Sequence, residues 1–203
     1  MISIIDYGAG NLRSVQNALS FLGYPSRIIT DPRQLSDSRA AILPGVGAFG
    51  DAMRSLNERE FVPAIRDYAA SGRPMLGICL GMQLLFEASE ESPGVEGLSI
   101  FPGVLRRIPE TGLKVPHMGW NSLNVIQTDG IMKEITQDSY VYFVHSFYLS
   151  CSESDILAAT TQYGVNIGAA VQKGRIAATQ FHPEKSGEIG LKMLNNFARL
   201  VNI

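Results

Sequence analysis

Short apolar runs alternate with helical patterns through the first half of the chain. Ile2–Ile5 is predicted to be a buried strand, and Asn11 can cap a helix whose apolar positions recur every three or four residues. The alternation continues with predicted strands over residues 27–29, 40–43 and 74–78, and with helical stretches over residues 61–70 and 80–86. This order of elements is typical of a parallel sheet with helices on both faces.

The second half of the chain is dominated by strand-like runs separated by turn residues. The predicted strands cover residues 104–108, 123–126, 140–149, 156–161, 169–172 and 176–180. We expect them to be antiparallel additions to the parallel sheet. Ser186 is a candidate N-cap for a final helix. The inward-facing positions of that helix would be Ile189, Met193, Phe197 and either Leu200 or Val201. The predicted fold class is therefore α/β, with three layers and a mostly parallel central sheet.

Composition and charge narrow the possible functions. The chain has 203 residues, of which 45% are hydrophobic and 18% charged, and 17 Lys and Arg against 19 Asp and Glu give a net charge of −2. Such a chain can bury a core, and without a linker or an internal repeat it is expected to form one domain over residues 1–203. The basic residues are scattered, so neither nucleic-acid nor anionic-membrane binding is expected. Small molecules or another protein remain as partners.

The N-terminus and the cysteines bear on the cellular compartment. The first residues contain no basic region, and Asp6 interrupts their apolar run, so no signal peptide is predicted. No stretch approaches the roughly 18 consecutive apolar residues that a membrane span needs. The only cysteines are Cys79 and Cys151, which argues against a disulfide framework and favours the reducing cytoplasm.

The most specific local motif is Gly-Ile-Cys-Leu-Gly at residues 77–81, where a predicted strand meets a predicted helix. A nucleophile on a strained strand-to-helix turn needs small neighbours two residues away on each side, because the backbone folds back tightly there. The helix N-terminus would favour the thiolate of Cys79, and the Leu80 N–H would point toward an oxyanion formed beside it. Taken alone, Cys79 also fits a buried structural cysteine in a tight turn.

A nucleophilic cysteine needs a base, and the chain has three histidines. His182 follows an apparent strand, and Pro183 holds it in an extended conformation. Because residues i and i+2 share a face of an extended chain, the Glu184 carboxylate is predicted to lie beside the His182 imidazole and to fix its tautomer. Taken alone, this pair also fits a solvated surface loop. Together, Cys79, His182 and Glu184 predict a catalytic triad. His145 is interpreted as a structural or pocket-wall histidine.

A glycine-rich turn, Pro-Gly-Val-Gly at residues 44–47, follows another predicted strand. Its main-chain N–H groups could present a second donor to an oxyanion, and the same sequence also fits a plain connection between a strand and a helix.

The sequence motifs of other kinds of binding site are missing. Arg13 stands where a dinucleotide-binding loop would need glycine, and no P-loop lysine occurs. The histidines and cysteines do not have metal-ligand spacing, so neither a metal nor a cofactor is implied.

Three of these motifs together resemble the class I, or triad, glutamine amidotransferase family. They are the sequences at residues 44–47, at 77–83 (GICLGMQ) and at 181–184 (FHPE). Further segments, at residues 5–12, 115–121 and 143–147, narrow the resemblance to members that act as the glutaminase subunit of a two-chain synthase. The resemblance extends over essentially the whole chain, and it implies the class I glutamine amidotransferase fold.

The resemblance implies a glutaminase reaction and assigns its central residues. Cys79 would attack the side-chain amide of glutamine, His182 would pass the thiol proton to the departing ammonia, and Glu184 would orient the imidazole. The intermediate would be a γ-glutamyl thioester on Cys79. A water molecule activated by His182 would then hydrolyse the thioester to glutamate.

The resemblance also implies the substrate contacts. The family's oxyanion hole would pair the N–H of Leu80 with that of Val46 or Gly47. Its glutamine pocket corresponds to Gln83, Glu91, Ser146 and Phe147. Glu91 would recognise the amino group of the substrate, although with Glu87 and Glu90 it also fits the solvated end of a helix. The family often has tyrosine where Phe147 stands, so a contact through a hydroxyl is not implied there.

A partner protein follows from the same resemblance. The ammonia would pass to a separate (β/α)8-barrel synthase, bound 1:1, which uses it with a phosphoribulosyl formimino carboxamide ribotide to make imidazole glycerol phosphate and AICAR in histidine biosynthesis. The residues implied at or near the interface or the ammonia passage are Asn11, His117, Trp120, Tyr142 and Lys185. Without the family, Asn11 also fits a helix cap, Trp120 a core residue and Lys185 an ordinary surface lysine.

Two other functions remain open at this point. One is a stand-alone cysteine hydrolase acting on γ-glutamyl or peptide substrates. The other is a binding or regulatory module that keeps the fold without the chemistry, against which the filled triad positions argue. A glutaminase subunit with glycine at positions 45 and 47 is expected to be weakly active alone, because the oxyanion N–H would be correctly aimed only with the partner occupied.

Overall fold

Thirteen strands and five helices make up the part of the chain that the computed structural model describes, residues 1–110, 112–150 and 154–201. The strands are β1 (Ile2–Ile5), β2 (Ser26–Ile29), β3 (Ala40–Gly45), β4 (Met75–Cys79), β5 (Ala88–Ser89), β6 (Val104–Arg107), β7 (His117–Ser122), β8 (Asn124–Val125), β9 (Tyr140–His145), β10 (Phe147–Ser150), β11 (Leu157–Tyr163), β12 (Val165–Lys173) and β13 (Ile176–Thr179). The helices are α1 (Leu12–Phe21), α2 (Phe49–Glu58), α3 (Phe61–Ala70), α4 (Leu80–Gln83) and α5 (Gly187–Arg199). Eleven strands form one sheet, and β7 and β9 form a separate two-stranded ribbon.

Five parallel strands lie side by side in the order β2–β1–β3–β4–β13. β1, β3 and β4 are buried along their whole length, which explains their continuous apolar sequences, since helices cover both faces of the sheet. Because all five strands point the same way, the residues at their carboxyl ends meet at one edge of the sheet. This active-site edge carries the glycine-rich turn at residues 44–47, Cys79 at the end of β4, and His182 just beyond β13.

Most of the remaining strands extend the sheet in the antiparallel sense. β12 pairs with β13 and β10 along one side and with β11 along the other. β6 and β5 continue the sheet beyond β10, and β8 pairs with β11. The β7–β9 ribbon places His117 opposite His145 and Trp120 opposite Tyr142. The predicted parallel sheet with antiparallel additions is confirmed.

Helices cover both faces of the parallel strands and create two separate cores. α1 and α5 pack on one face with β1, β4 and the β7–β9 ribbon, whereas α2 and α3 pack on the other. Each helix buries residues spaced three or four apart, as Val15, Ala18 and Leu19 do in α1. In α5 the predicted inward positions Met193 and Phe197 are buried. The three-layer α/β architecture predicted from the sequence is therefore confirmed.

Several local elements differ from the sequence prediction. The helical stretch expected over residues 80–86 is wrong beyond its first turn, because α4 ends at Gln83. The strand expected over residues 140–149 is two strands, since the chain bends at Ser146 and leaves the ribbon to join the main sheet. Three elements, α2, β5 and β7, were not predicted. The signal for α2 was present, because its buried residues Phe49, Ala52, Met53 and Leu56 have helical spacing.

The two predicted N-cap residues do not cap their helices through their side chains. Asn11 and Ser186 stand at the N-cap positions of α1 and α5, and neither side chain makes a capping hydrogen bond. The Ser186 hydroxyl instead donates to the carbonyl oxygen of His182 at 2.6 Å and accepts from the N–H of Tyr142 at 3.0 Å. Ser186 therefore joins the start of α5 to the active-site edge and to the β7–β9 ribbon.

Two observations concern the compartment predictions. No helix in the described part of the chain is long and apolar enough to cross a membrane. Cys79 is a free, buried cysteine, whereas Cys151 lies outside the described residues.

Crowding at the end of β4 explains the glycines of the 77–81 motif. A Cβ added to Gly81 would lie 1.8 Å from the carbonyl oxygen of Leu43, and one added to Gly77 would lie 2.9 Å from the carbonyl oxygen of Gly81. Cys79, between these glycines, has a φ of +56°, which residues with a side chain rarely adopt. The predicted need for small neighbours is confirmed, because a side chain at either glycine would collide with main-chain atoms.

We expect Gly81→Ala to lower the free energy of unfolding by at least about 3 kcal/mol, since its methyl group would meet a backbone carbonyl that cannot turn aside. Gly174→Ala is the control. Gly174 has a φ of +60° with no atom within 4 Å of the added Cβ, so only the roughly 1 kcal/mol cost of a left-handed residue is expected. Urea denaturation of both variants measures the difference. Equal destabilisation would show that the contact with Leu43 is not tight.

Candidate active site

Cys79 lines a cavity of about 370 Å³ on the active-site edge. The cavity walls include Val46, Gly47, Leu80 and His182. The positive φ of Cys79 is typical of the strained turn on which a nucleophile elbow places its reactive residue. The predicted contribution of a helix dipole is reduced, because α4 has only four residues.

His182 and Glu184 form a buried pair beside this cavity. The imidazole Nδ1 lies 2.8 Å from Oε1 of Glu184, and their side chains are only 3% and 1% exposed. The contact was predicted, but its backbone explanation is only partly right. His182 is extended, with φ −96° and ψ 99°, whereas Pro183–Lys185 forms a 3-10 turn. That turn, rather than a shared face of an extended chain, brings the carboxylate back to the imidazole.

The charge of His182 depends on its two acidic neighbours. Burial lowers the pKa of the imidazole, but the Cys79 thiol and the Glu184 carboxylate together outweigh burial and raise the pKa from 6.5 to about 9. Among the described residues, Nε2 of His182 has no hydrogen-bond partner. The imidazole can therefore be protonated at neutral pH, with Nε2 available to exchange a proton with a reacting group.

The backbone of His182 is fixed by the β7–β9 ribbon and by α5. Its N–H donates to the carbonyl of Tyr142 at 3.0 Å, while its own carbonyl accepts from Ser186. α5 approaches so closely that a Cβ on Gly190 would lie 1.9 Å from the carbonyl oxygen of Pro183. The backbone at His182 is thus held at the cavity by two separate elements, the β7–β9 ribbon and α5.

The four residues expected in a glutamine pocket, Gln83, Glu91, Ser146 and Phe147, all line this cavity. Gln83 is buried, and its Nε2 donates to the carbonyl oxygen of Phe147 at 3.1 Å and to Oε1 of Gln180 at 3.0 Å. Both amide hydrogens of Gln83 are therefore used within the protein. Only its side-chain oxygen remains to bind a ligand, as an acceptor.

The glutamates after α4 are only partly as predicted. Glu87 and Glu90 are exposed, but they do not end a helix, because α4 ends at Gln83. The carboxylates of Glu87, Glu90 and Glu91 each accept a hydrogen bond from a main-chain N–H. Glu91 accepts from Phe49 at 2.8 Å, at the first residue of α2. The negative charge of Glu91 therefore caps α2, whose own N-cap position holds alanine, while the side chain also lines the cavity.

The glycine-rich turn is fixed at its beginning and open at its end. A Cβ on Gly45 would lie 2.5 Å from the hydroxyl of Tyr7 and 2.9 Å from the main-chain nitrogen of Gly81. Gly47 has a φ of +99° and open space around it, and Val46 is exposed. Rotation of the turn is therefore expected between Val46 and Gly47 rather than at Gly45.

One residue near Cys79 received no role from the sequence. Gln180 is completely buried, and its Nε2 lies 3.9 Å from Sγ of Cys79. No signal in the sequence separates Gln180 from an ordinary residue at the end of a strand.

The residues expected near a partner differ in exposure. Trp120 is 55% exposed, so the alternative of a core residue is wrong, and its ring meets that of Tyr142 edge to face. Lys185 is exposed, and Asn11 is half-buried. His117 is buried, with its ring stacked between other aromatic rings, so it cannot offer a contact surface.

No group of three or more His, Cys, Asp or Glu residues in the described ranges could hold a metal ion. The arrangement around Cys79 suits covalent chemistry on a carbonyl group. It combines a strained cysteine, a histidine charged by its neighbours, and a flexible glycine turn at one cavity.

Comparison with known proteins agrees with this chemistry. Residues 3–201 match the model of the family "glutamine amidotransferase class-I". A relative from Caldanaerobacter subterraneus subsp. tengcongensis is 49% identical over 201 residues, covering 99% of this chain and 98% of the relative. A relative from Methanothermobacter thermautotrophicus is 50% identical, covering 99% of both chains. Both are named imidazole glycerol phosphate synthase subunit HisH.

Solved structures share the fold at lower sequence identity. A crystal structure described as a glutamine amidotransferase superposes with a TM-score of 0.78 and 18% identity, covering 100% of this chain and 99% of that one. The structure of PurLQS from Thermotoga maritima also gives a TM-score of 0.78, with 20% identity and coverage of 98% and 97%. With the family match extending over nearly every residue, this chain belongs to the class I glutamine amidotransferase family.

Proposed function

We propose that this chain is the glutaminase subunit of an imidazole glycerol phosphate synthase. It hydrolyses glutamine to glutamate and ammonia, and it passes the ammonia to a separate synthase subunit in histidine biosynthesis. The observation that carries this proposal is the position of Cys79, on a strained turn at a cavity that it shares with His182. The names of relatives at 49% and 50% identity over nearly full length support the pathway.

The reaction proceeds through a covalent intermediate on Cys79. The Cys79 sulfur attacks the side-chain amide carbon of glutamine, and the negative charge on the amide oxygen is stabilised by N–H groups of Leu80 and of Val46 or Gly47. When the tetrahedral intermediate collapses, the C–N bond breaks and His182 donates a proton to the departing ammonia. A γ-glutamyl thioester on Cys79 remains.

Hydrolysis of the thioester regenerates the enzyme. His182 accepts a proton from a water molecule, the resulting hydroxide attacks the thioester carbon, and the C–S bond breaks to release glutamate. The Glu184 carboxylate holds the imidazole by the 2.8 Å contact to Nδ1, so that Nε2 faces the reacting atoms. Nε2 of His182 therefore donates a proton in the first step and accepts one in the second.

Charge and hydrogen-bonding capacity support glutamine as the substrate. Gln83 has only its side-chain oxygen left as an acceptor, and Glu91 brings a carboxylate to the same cavity. Both groups suit the substrate's ammonium group, which can only donate. Ser146 and Phe147 complete the wall where β9 bends into β10.

The exposed face of the β7–β9 ribbon supports a docking site for the synthase subunit. We propose a (β/α)8-barrel partner in a 1:1 complex in the cytoplasm, contacted by Asn11, Trp120, Tyr142 and Lys185 around the active-site edge. His117 lies beneath that face. Support comes from the exposed Trp120 side chain beside the His182-bearing segment. We also propose that residues 1–203 form one glutamine amidotransferase domain, because both cores pack on a single sheet.

Glutamate release from glutamine tests the function. We expect wild-type protein to hydrolyse glutamine slowly alone and faster with the barrel subunit and its nucleotide substrate, and Cys79→Ala to have no activity in either case. No release by wild-type protein, or undiminished release by the variant, would overturn the proposal. Efficient cleavage of peptides or of other γ-glutamyl compounds without a partner would instead identify a stand-alone hydrolase.

The pH dependence of hydrolysis tests the role of Glu184. With its pKa raised from 6.5 to about 9, the His182 imidazole keeps its proton at neutral pH and loses it as the pH rises through about 9. We expect kcat/KM to fall on the alkaline side near that pH. Glu184→Gln removes one cause of the raised pKa, so the alkaline fall should move to lower pH and kcat/KM should drop by about 10²-fold or more. An unchanged alkaline limb would contradict this role.

Trp120→Ala tests the docking surface. We expect Kd for the synthase subunit to rise about tenfold or more, because an exposed tryptophan at the centre of an interface contributes strongly to binding. Phe21→Ala is the matched control, since Phe21 is 78% exposed at the far end of α1, away from the active-site edge. Titration calorimetry measures both affinities. An equal effect of the two changes would exclude this face as the interface.

A further inference from the structure

A network of hydrogen bonds, partly buried, extends in two directions from one main-chain oxygen in the cavity wall. The carbonyl of Phe147 accepts from Nδ1 of His145 at 2.9 Å and from Nε2 of Gln83 at 3.1 Å. Because a carbonyl oxygen can only accept, His145 must carry its proton on Nδ1. The amide of Gln83 is oriented by the same restriction.

From Gln83 the network runs to the nucleophile. With its NH₂ group toward Phe147, Gln83 also donates to Oε1 of Gln180 at 3.0 Å. The NH₂ group of Gln180 must then face the other way, where it lies 3.9 Å from Sγ of Cys79.

From His145 the network runs to the β7–β9 ribbon. Since Nδ1 of His145 carries the proton, its Nε2 is an acceptor, and Nδ1 of His117 at 3.0 Å must donate to it. Nε2 of His117 is then also an acceptor, facing Nδ2 of Asn121 at 3.3 Å. Every donor along this side points toward Phe147.

The outer end of the network is oriented by separate contacts that agree with this direction. Oδ1 of Asn121 accepts from the N–H of Ser122 at 2.9 Å, and Nδ2 also donates to the carbonyl of Gln162 at 3.0 Å. The amide of Asn121 must therefore present its NH₂ group to His117. Both ends of the network independently require the same tautomer of each imidazole.

Both imidazoles are neutral and rigidly held. Burial lowers the pKa of His117 to about 4 and that of His145 to about 3. The ring of His117 stacks on Tyr163 at 4.0 Å and on Phe143 at 4.7 Å between ring centres. Neither histidine takes part in the proton transfers of the proposed reaction.

We propose that Asn121, His117 and His145 are positioning residues for the glutamine pocket. Held as Nδ1–H tautomers, the two imidazoles fix the Phe147 carbonyl and the bend of the chain beside it. Through that carbonyl they also fix the Gln83 amide in the cavity. The β7–β9 ribbon, which carries the proposed docking face, is thus connected to the pocket by a series of hydrogen bonds. Each of them donates in the direction of the Phe147 carbonyl. The proposal rests on the proposed function only for its activity measurement.

Nitrogen NMR of the full chain, labelled with ¹⁵N at histidine, tests the tautomers directly. The chain has three histidines, so the spectrum is simple. At pH 7 we expect His117 and His145 each to show a protonated Nδ1 and an unprotonated Nε2, although free histidine in water favours the Nε2–H form. His182 should show both nitrogens protonated. Spectra of His117→Gln and His182→Asn assign the signals. An Nε2–H form of His117 or His145 would overturn the proposal whatever the enzyme's activity.

Two substitutions of His117 separate positioning from simple packing. His117→Phe keeps the ring between Phe143 and Tyr163 but removes the donor to His145, whereas His117→Gln loses the ring and can still donate. We expect KM for glutamine, measured in the complex, to rise about tenfold or more in His117→Phe and clearly less in His117→Gln. If packing alone mattered, His117→Phe would raise KM for glutamine less than His117→Gln does. That result would refute the proposal.

Asn124→Leu is a control for changes to the same region. Asn124 lies on β8, where its side chain donates to Thr160 outside the network of hydrogen bonds. We expect it to leave KM for glutamine and the histidine spectra unchanged. If the wild-type protein hydrolysed no glutamine, the proposed function would be contradicted. The NMR result would then still decide the positioning role.

Discussion

The contact between α4 and β3 is the constraint on which the candidate active site depends. Gly81 approaches the Leu43 carbonyl so closely that no side chain fits between them. Cys79, two residues before Gly81, has a positive φ of +56°, and the start of α4 packs against the strand that ends in the glycine-rich turn. The nucleophile and the turn that would stabilise the oxyanion are therefore parts of one packed unit. Only the end of the turn, at Gly47, has open space around it.

The base reaches this unit from a different part of the fold. His182 lies beyond the last parallel strand, and its backbone is bonded to Tyr142 in the β7–β9 ribbon and to Ser186 at the start of α5. The ribbon is outside the main sheet, yet it touches the base through one of its strands and the pocket wall through the bend at Ser146. A partner bound to the ribbon would therefore contact an element that reaches both the base and the pocket wall.

The sequence predicted the features that depend on neighbouring residues and missed those that depend on distant ones. The parallel strands and the glycines around Cys79 follow from local patterns, as does the proximity of His182 to Glu184. The length of α4 did not, because just beyond Gln83 the carbonyls of Leu84 and Leu85 accept hydrogen bonds from residues 98–101, far along the chain. The capping of α2 by Glu91 joins positions 42 residues apart, and the bond between Gln83 and Gln180 joins positions 97 apart. No local pattern indicates such pairs.

Glu91 illustrates how two duties restrict change at one position. Its carboxylate accepts the first N–H of α2 and also lines the substrate cavity. A substitution that altered substrate selectivity there would at the same time leave the helix without its cap. Ser146 lines the same cavity without such a cap to maintain. The lining of the pocket can therefore change more readily at Ser146 than at Glu91. At Glu91, helix stability and substrate binding depend on the same carboxylate.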